Sequence, residues 1–226
     1  MDLRKTYGGK EKIGLGKMKR GFSLTEIALG IFLIIVLAAI LFPLNMINRN
    51  QAQRIALWKS FYPQLEYSFD LMKKDEPSFL KAYESDTRLN GTAFFDEFAC
   101  YLNKDFFIDT KDYHRYKHRF FNGKIISRSS KYRANRFLRL KNGMVLSFSE
   151  IDRDGDKTSP VGYLFVDLDG KCSRNFIGKD VFVVKMFPDR IEPYGYGLSI
   201  QDMKEDCSPV GSGLYCAAYY LIGGAF

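Results

Sequence analysis

Lys19-Arg20-Gly21-Phe22-Ser23-Leu24-Thr25-Glu26 is the stretch that decides how this chain is read. Basic residues run up to a glycine, an aromatic follows, and one carboxylate sits just inside a long apolar run. From Ile27 to Ile47 the only polar side chain is Asn45. As a helix rising about 1.5 Å per residue, that run is about 30 Å long, close to the thickness of a bilayer's hydrocarbon core. It is therefore expected to cross a membrane. A carboxylate costs on the order of 2.5–3.5 kcal/mol at mid-membrane, and less near the boundary, unless something pairs with it.

Two ordinary readings compete for this stretch. Ser23-Leu24-Thr25-Glu26 fits a capping box, with Ser23 capping a helix and Glu26 bonding back to its amide. A secretory signal would also join a basic region to an apolar core, but here the core is too long and no small-residue cleavage site closes it. The capping box accounts for the local pattern and leaves the basic segment ending in Gly-Phe unexplained.

Arg20-Gly21-Phe22-Ser23-Leu24-Thr25-Glu26, followed by an apolar helix, resembles the processing site of type IV pilins and type II secretion pseudopilins. The resemblance implies that a prepilin peptidase cuts between Gly21 and Phe22 and that the new amino-terminal Phe22 is N-methylated. It puts Glu26 in the place of the family's glutamate and Pro43 in that of the proline midway along the apolar helix. Local melting of the helix near that proline during assembly is a further implication. The motif covers the first quarter of the chain.

The chemistry agrees with that resemblance. In a polymer, apolar helices pack among copies of themselves, and the Glu26 charge then needs a partner in a place of low dielectric. The cationic amine of Phe22 on a neighbouring copy would supply it, because charge-assisted pairs strengthen away from water. Pro43 removes one helical hydrogen bond and bends or loosens the helix there. A simple kink in a membrane helix, which neighbouring groups tolerate, is the plainer reading of the same residue.

The chain has 226 residues and a formal charge of +8. Residues 1–21 hold seven Lys/Arg (Arg4, Lys5, Lys10, Lys12, Lys17, Lys19, Arg20) against Asp2 and Glu11, so removing them leaves about +3. The expected organisation is a basic leader over 1–21, a transmembrane and assembly helix over 22–75, and a globular head over 76–226. Positive charge stays on the cytoplasmic side, which puts the head outside. The resemblance implies a single-pass protein of the bacterial inner membrane that later enters a pilus or pseudopilus. Its implied partners are the prepilin peptidase, other pilin or pseudopilin subunits and an inner-membrane assembly platform.

Past the apolar run, Ile55, Trp58, Tyr62, Leu65, Phe69 and Met72 recur at spacings of three and four, a stripe along one helix face. This stripe is expected to carry the head; a coiled-coil seam to another chain is the alternative. Pro63 predicts a kink or break near Tyr62. A short helix is expected over Thr92–Leu102. Phe137–Leu140 and Met144–Phe148 read as a hairpin around Asn142-Gly143, with further strands over Val161–Val166 and Asp180–Met186. The fold class expected is α+β: a long N-terminal helix, membrane-spanning in its first half, packed on an antiparallel β-sheet head in the pilin-like manner.

Four cysteines suit an oxidising location. Cys207 and Cys216 flank Ser208-Pro209-Val210-Gly211-Ser212-Gly213, which reads as a small disulfide loop and resembles the cysteine-closed C-terminal region of many pilins. Cys100 and Cys172 offer a second bridge, although sequence leaves three pairings open. Zinc is disfavoured, since no pair has C-x-x-C spacing and neither histidine is near a cysteine.

Asp167-Leu168-Asp169-Gly170-Lys171, with Asn175 and Gly178-Lys179-Asp180-Val181-Phe182, reads as a turn entering a strand and resembles a segment of many pilin-like heads. Some secretion pseudopilins bind calcium through a carboxylate-rich head loop, which makes Asp167 and Asp169 weak calcium candidates. Asp152, Asp154 and Asp156 are others, because oxygens at alternating positions suit calcium. The EF-hand pattern fails there: the glycine, Gly155, precedes the third acid and Tyr163 stands where the bidentate glutamate belongs. A polar turn is the simpler reading, and no other cofactor is expected.

Between Tyr113 and Lys141 there are ten Lys/Arg and no acid, with Tyr113, Tyr116, Phe120, Phe121 and Tyr132 interleaved. Cations with aromatic platforms are what a nucleic-acid surface needs. Arg115, Lys117, Arg119, Arg128, Arg133 and Arg136 are thus candidate DNA contacts, and a DNA-capturing minor pilin or competence pseudopilin is the alternative function. A solvated strand face, or a patch meeting acidic neighbours, explains the same charges. No enzyme is expected. His114 and His118 lack the intervening glutamate of H-E-x-x-H, and no G-x-S-x-G, P-loop or Cys/His arrangement appears. A plain single-pass, membrane-anchored accessory protein is the third reading.

Overall fold

A computed structural model describes residues 24–127, 129–171 and 175–225, with backbone alone at positions 38–49. Gly21, Phe22, Arg128 and Cys172 lie outside the described residues. The chain divides into two compact units, Met1–Met46 and Ile47–Phe226. The division falls inside the first helix, whose part from Gln51 onward shares the core of the second unit.

Helix α1 runs from Leu24 to Asp75, with Glu26 in its first turn, where a carboxylate meets the positive end of the helix dipole. In the first unit its apolar side chains face solvent: Leu24 is 87% exposed, Phe32 65% and Leu37 49%.

The expected membrane-spanning half is corrected. Among the described residues no helix is long and apolar enough to cross a membrane. From Asn50 onward polar and packed side chains alternate.

In the second unit the predicted stripe is the spine of the core. Trp58, Leu65 and Met72 have no exposed surface, Phe69 and Tyr62 have almost none, and Ile55 packs against them half-buried. Of the kink or break expected near Tyr62, no break occurs, since α1 is one helix to Asp75. An interior proline costs about 3 kcal/mol. Burial of Phe61, Tyr62 and Leu65 around it offsets that, at about 1.5–3 kcal/mol for each large apolar side chain.

Two short helices follow, α2 (Pro77–Ser85) and α3 (Gly91–Phe98), the latter capped by Asn90, whose side chain accepts from the Thr92 and Ala93 amides. A 3₁₀ turn, Ala99–Tyr101, extends α3 over most of the helix predicted there. Among the described residues eight strands come next: β1 (Lys104–Phe107), β2 (His118–Arg119), β3 (Arg136–Leu140), β4 (Val145–Glu150), β5 (Gly162–Asp167), β6 (Asn175–Phe176), β7 (Val181–Met186) and β8 (Ile191–Pro193). Helices α4 (Ile200–Asp206) and α5 (Cys216–Leu221) close the chain.

The main sheet has the order β1-β3-β4-β5-β7-β8, every pair antiparallel, while β2 and β6 form a small parallel pair. The β3–β4 hairpin turns through Asn142 and Gly143, whose φ of +90° is the left-handed backbone that favours glycine. Strand β5 is buried throughout, as its unbroken apolar run requires of a central strand. It starts at Gly162, where a Cβ would lie 2.1 Å from the Phe148 ring.

Side chains alternate across the sheet and build cores on both of its faces. Leu146, Phe148, Leu164, Val166, Phe182 and Val184 join the α1 stripe and the α3 phenylalanines. On the other face Tyr163, Phe165 and Val183 pack with Ile177 and Leu214, and Phe120 and Tyr132 cover them. The architecture is α+β, with an antiparallel sheet covered on both faces.

Candidate functional sites

The start of α1 is the first candidate. Thr25, Glu26 and the apolar side chains to Leu37 sit on one continuous helix. The helix also continues through position 43, so no break accompanies Pro43. The proposed cleavage bond, Gly21–Phe22, lies outside the described residues.

The C-terminal region is organised by a disulfide. Cys207 and Cys216 are joined, nine residues apart, between the end of α4 and the start of α5. Asp206 fastens the enclosed loop: its carboxylate accepts from the Ser212 amide and hydroxyl at 2.8 and 2.6 Å and from the Tyr215 amide at 2.8 Å. Helix α5 then receives α1, since the Trp58 Nε1–H donates to the Ala217 carbonyl at 2.9 Å. Cys100 is a free, exposed thiol, and its candidate partner Cys172 lies outside the described residues.

The Asp167–Asp180 segment is a buried polar knot. Asp167 Oδ1 accepts from the Gly170 amide at 2.9 Å and the Asp169 amide at 3.2 Å, and Asn175 Nδ2 donates to Oδ2 at 2.7 Å. Asp180 Oδ1 accepts from the Phe176 amide at 2.6 Å. Asp169 reaches outward to Arg54 of α1 at 3.2 Å. Burial, with help from the nearby Asp169 and Asp180 charges, pushes the Asp167 carboxyl up to about 8. Burial likewise raises Asp180 to about 6, against the opposing pull of Arg54. Asn175 Oδ1 is buried with no partner among the described residues.

Asp152, Asp154 and Asp156 do not converge. Asp156 accepts from the Thr158 amide and hydroxyl and from the Ser159 hydroxyl, bonds that hold its carboxyl at about 2. Asp152 accepts from the Asp154 amide, and Asp154 sits at φ +40°. This is a turn fastened by its own side chains. Among the described residues no group of three or more His, Cys, Asp or Glu side chains is placed to hold a metal ion.

The basic segment is divided by the fold. Arg136 makes a two-pronged pair with Asp96 at 2.7 and 2.9 Å and lies over the Phe107 ring, while Arg115 pairs with Asp112 at 3.6 Å. The interleaved aromatics belong mostly to the interior. Tyr116 and Phe121 are buried, Tyr113 packs on Phe137 with centroids 4.5 Å apart, and Tyr132 stacks on Tyr163 at 5.2 Å. They are not the open stacking platforms the sequence suggested.

Between the 3₁₀ segment Thr110–Tyr116 and the loop 125–135 lies a groove of about 1100 Å³. Lys117, Lys131 and Arg133 line it, with Thr110, Ser129 and Ser130. His118, also in its lining, is almost fully buried against Phe165, and burial lowers its imidazole to about 4, so it is neutral. His114 is exposed, its Nδ1 2.8 Å from the Lys111 carbonyl. Lys131 had no place among the candidate contacts picked from the sequence. Only the fold shows that the loop carrying it faces Lys117 across a cleft.

No family model, curated protein or solved structure matches this chain.

Proposed function

We propose that this chain is the precursor of a structural subunit of a type IV pilus or type II secretion pseudopilus. It is cut after Gly21 by a prepilin peptidase, methylated on Phe22, and assembled with other subunits through the start of α1. The observation that carries this reading is the Lys19–Glu26 motif set directly before a helix whose apolar side chains, Leu24 to Leu37, are exposed.

Exposed apolar surface of that extent marks an interaction site. Helices carrying it gain about 25 cal/mol per Å² when copies cover one another. The cationic amine of Phe22 then meets the Glu26 carboxylate of the adjacent copy. A disulfide in the head supports residence in an oxidising compartment.

The test is Glu26→Gln, which keeps the shape and removes the charge. The variant is expected to fold and mature normally and to fail in polymer assembly. Polymers formed in wild-type yield would refute the pairing.

A further inference from the structure

We propose that the Cys207–Cys216 disulfide is a redox latch on the turn 120–124. The closed bridge holds that turn in the core, and a dithiol that opens the bridge releases it. The latch stands apart from the assembly reading, and neither depends on the other.

Turn and disulfide loop meet through backbone. The Phe121 amide donates to the Ser212 carbonyl at 2.8 Å and the Asn122 amide to the Gly211 carbonyl at 3.2 Å. The Asn122 side chain adds a bond from Nδ2 to the Val210 carbonyl at 3.3 Å. All three acceptors lie within the ring of chain that the disulfide closes. Asp206 fastens Ser212 and Tyr215 by its own bonds, so the part of the loop that depends on the bridge is 208–211. That part supplies two of the three acceptors.

The sulfur itself is close to the turn. Gly178, at φ +87°, stands between them: a Cβ there would lie 2.6 Å from Cys216 Sγ and 2.7 Å from the Phe121 ring. Phe121 is almost fully buried and shares one core cluster with Cys216. A shift of that sulfur is felt at the seat of the ring, because close-packed interiors transmit strain.

Other bonds confine the release. The Arg119 carbonyl accepts from the Ile177 amide at 2.8 Å, which keeps β2 on β6 whatever the state of the bridge. Ile125 and Ile126, next along the chain, line the groove, so the latch reaches one of its walls.

Cys216 is fully buried and Cys207 half-buried, so a thiolate of the dithiol attacks Cys207 Sγ. The S–S bond breaks, Cys216 leaves as a thiolate and takes up a proton, and Cys207 is joined to the reductant. The second thiol of the reductant then closes its own disulfide and frees Cys207 as a thiol. The two electrons gained by the protein are those lost by the dithiol.

The experiment uses the full chain in detergent, with Cys100→Ser and Cys172→Ser so that this bridge alone responds. Amide hydrogen exchange is followed by peptide mass spectrometry, oxidised and after dithiothreitol. Reduction is expected to speed exchange at Phe121 and Asn122 about tenfold or more, while β4, β5 and β7 keep their protection. Trypsin should cut after the exposed Lys124 faster in the reduced form, and reoxidation should restore both readings.

Unchanged exchange at Phe121 and Asn122 would overturn the proposal. Protection lost equally across β4, β5 and β7 would also overturn it, making the bridge a support of the whole head. So would a reoxidised chain whose turn stays open.

Discussion

The indole N–H of Trp58 donates to the carbonyl of Ala217, 159 residues away and fully buried. That bond joins α1 to the helix that the C-terminal disulfide holds in place, and the Trp58 ring stacks on Phe182 of the central sheet at 5.0 Å. One side chain therefore ties helix, sheet and C-terminal helix into one core.

Trp58→Ala should destabilise the head by about 3–5 kcal/mol, the cost of emptying a large buried site. Trp58→Phe should cost less, about 1–3 kcal/mol, because it keeps most of the packing and leaves the Ala217 carbonyl without its donor. Urea unfolding followed by far-ultraviolet circular dichroism measures both. Equal stability of wild type and Trp58→Ala would show that the helix does not dock through this residue.

Removing the disulfide should act through the same helix. Cys207→Ser with Cys216→Ser is expected to cost about 2–4 kcal/mol. Cys100→Ser, at an exposed free thiol, should change stability by no more than about 0.5 kcal/mol. Melting curves with and without reductant separate the two: the double variant should be insensitive to reductant and the single variant should respond as wild type does.

The buried carboxyls give the head a definite pH signature. Asp167 titrates at about 8 and Asp180 at about 6, against 3.8 for a free aspartate. Across those windows the folded protein binds more protons than the unfolded chain, so their contribution to stability is full below about 4 and is lost as pH rises through the folded values. His118, lowered to about 4 from 6.5, works the other way and costs stability as pH falls between those values.

Asp167→Asn removes the first effect, and Asn175, whose Oδ1 has no partner among the described residues, can turn its amide over to accept from the new side chain. The melting temperature of Asp167→Asn relative to wild type should therefore rise between pH 5 and pH 8. A difference that stays constant with pH would show that Asp167 does not change charge there.

Arg136 is tied into the fold by two contacts. Its forked pair with Asp96 and its place over Phe107 suit guanidinium geometry, which lysine does not reproduce. Arg136→Lys should cost roughly 1 kcal/mol of stability, the scale of a part-exposed pair. Equal stability of Arg136→Lys and wild type would show that the forked geometry adds nothing to the fold.

Some of this was legible in sequence for simple reasons. Trp58, Tyr62, Leu65, Phe69 and Met72 repeat at the helical period, and one buried face is what that period means. Asn142-Gly143 marked the hairpin because a left-handed turn needs glycine, and Cys207 and Cys216 flanked a loop short enough to close.

Other features depended on tertiary context. Strands β1 and β8 are short edge pieces whose pairing is set by neighbours far along the chain. Helix α5, Cys216–Leu221, is buried on nearly every side and shows no amphipathic period. Pro63 read as a kink or a break, and the helix runs through it unbroken. The apolar run from Ile27 was counted by composition as a membrane span, which the described helix does not support. Charge counting gathered ten basic residues into one patch, while ion pairing sorted Arg115 and Arg136 out of it.

The central claim concerns the first residue of the mature protein. Intact-mass and N-terminal peptide analysis of the chain, recovered from cells that contain a prepilin peptidase, tests it most directly. The account predicts a polypeptide that begins at Phe22 and carries one methyl group on its amine. A chain that still begins at Met1, or one cut elsewhere than after Gly21, would contradict it.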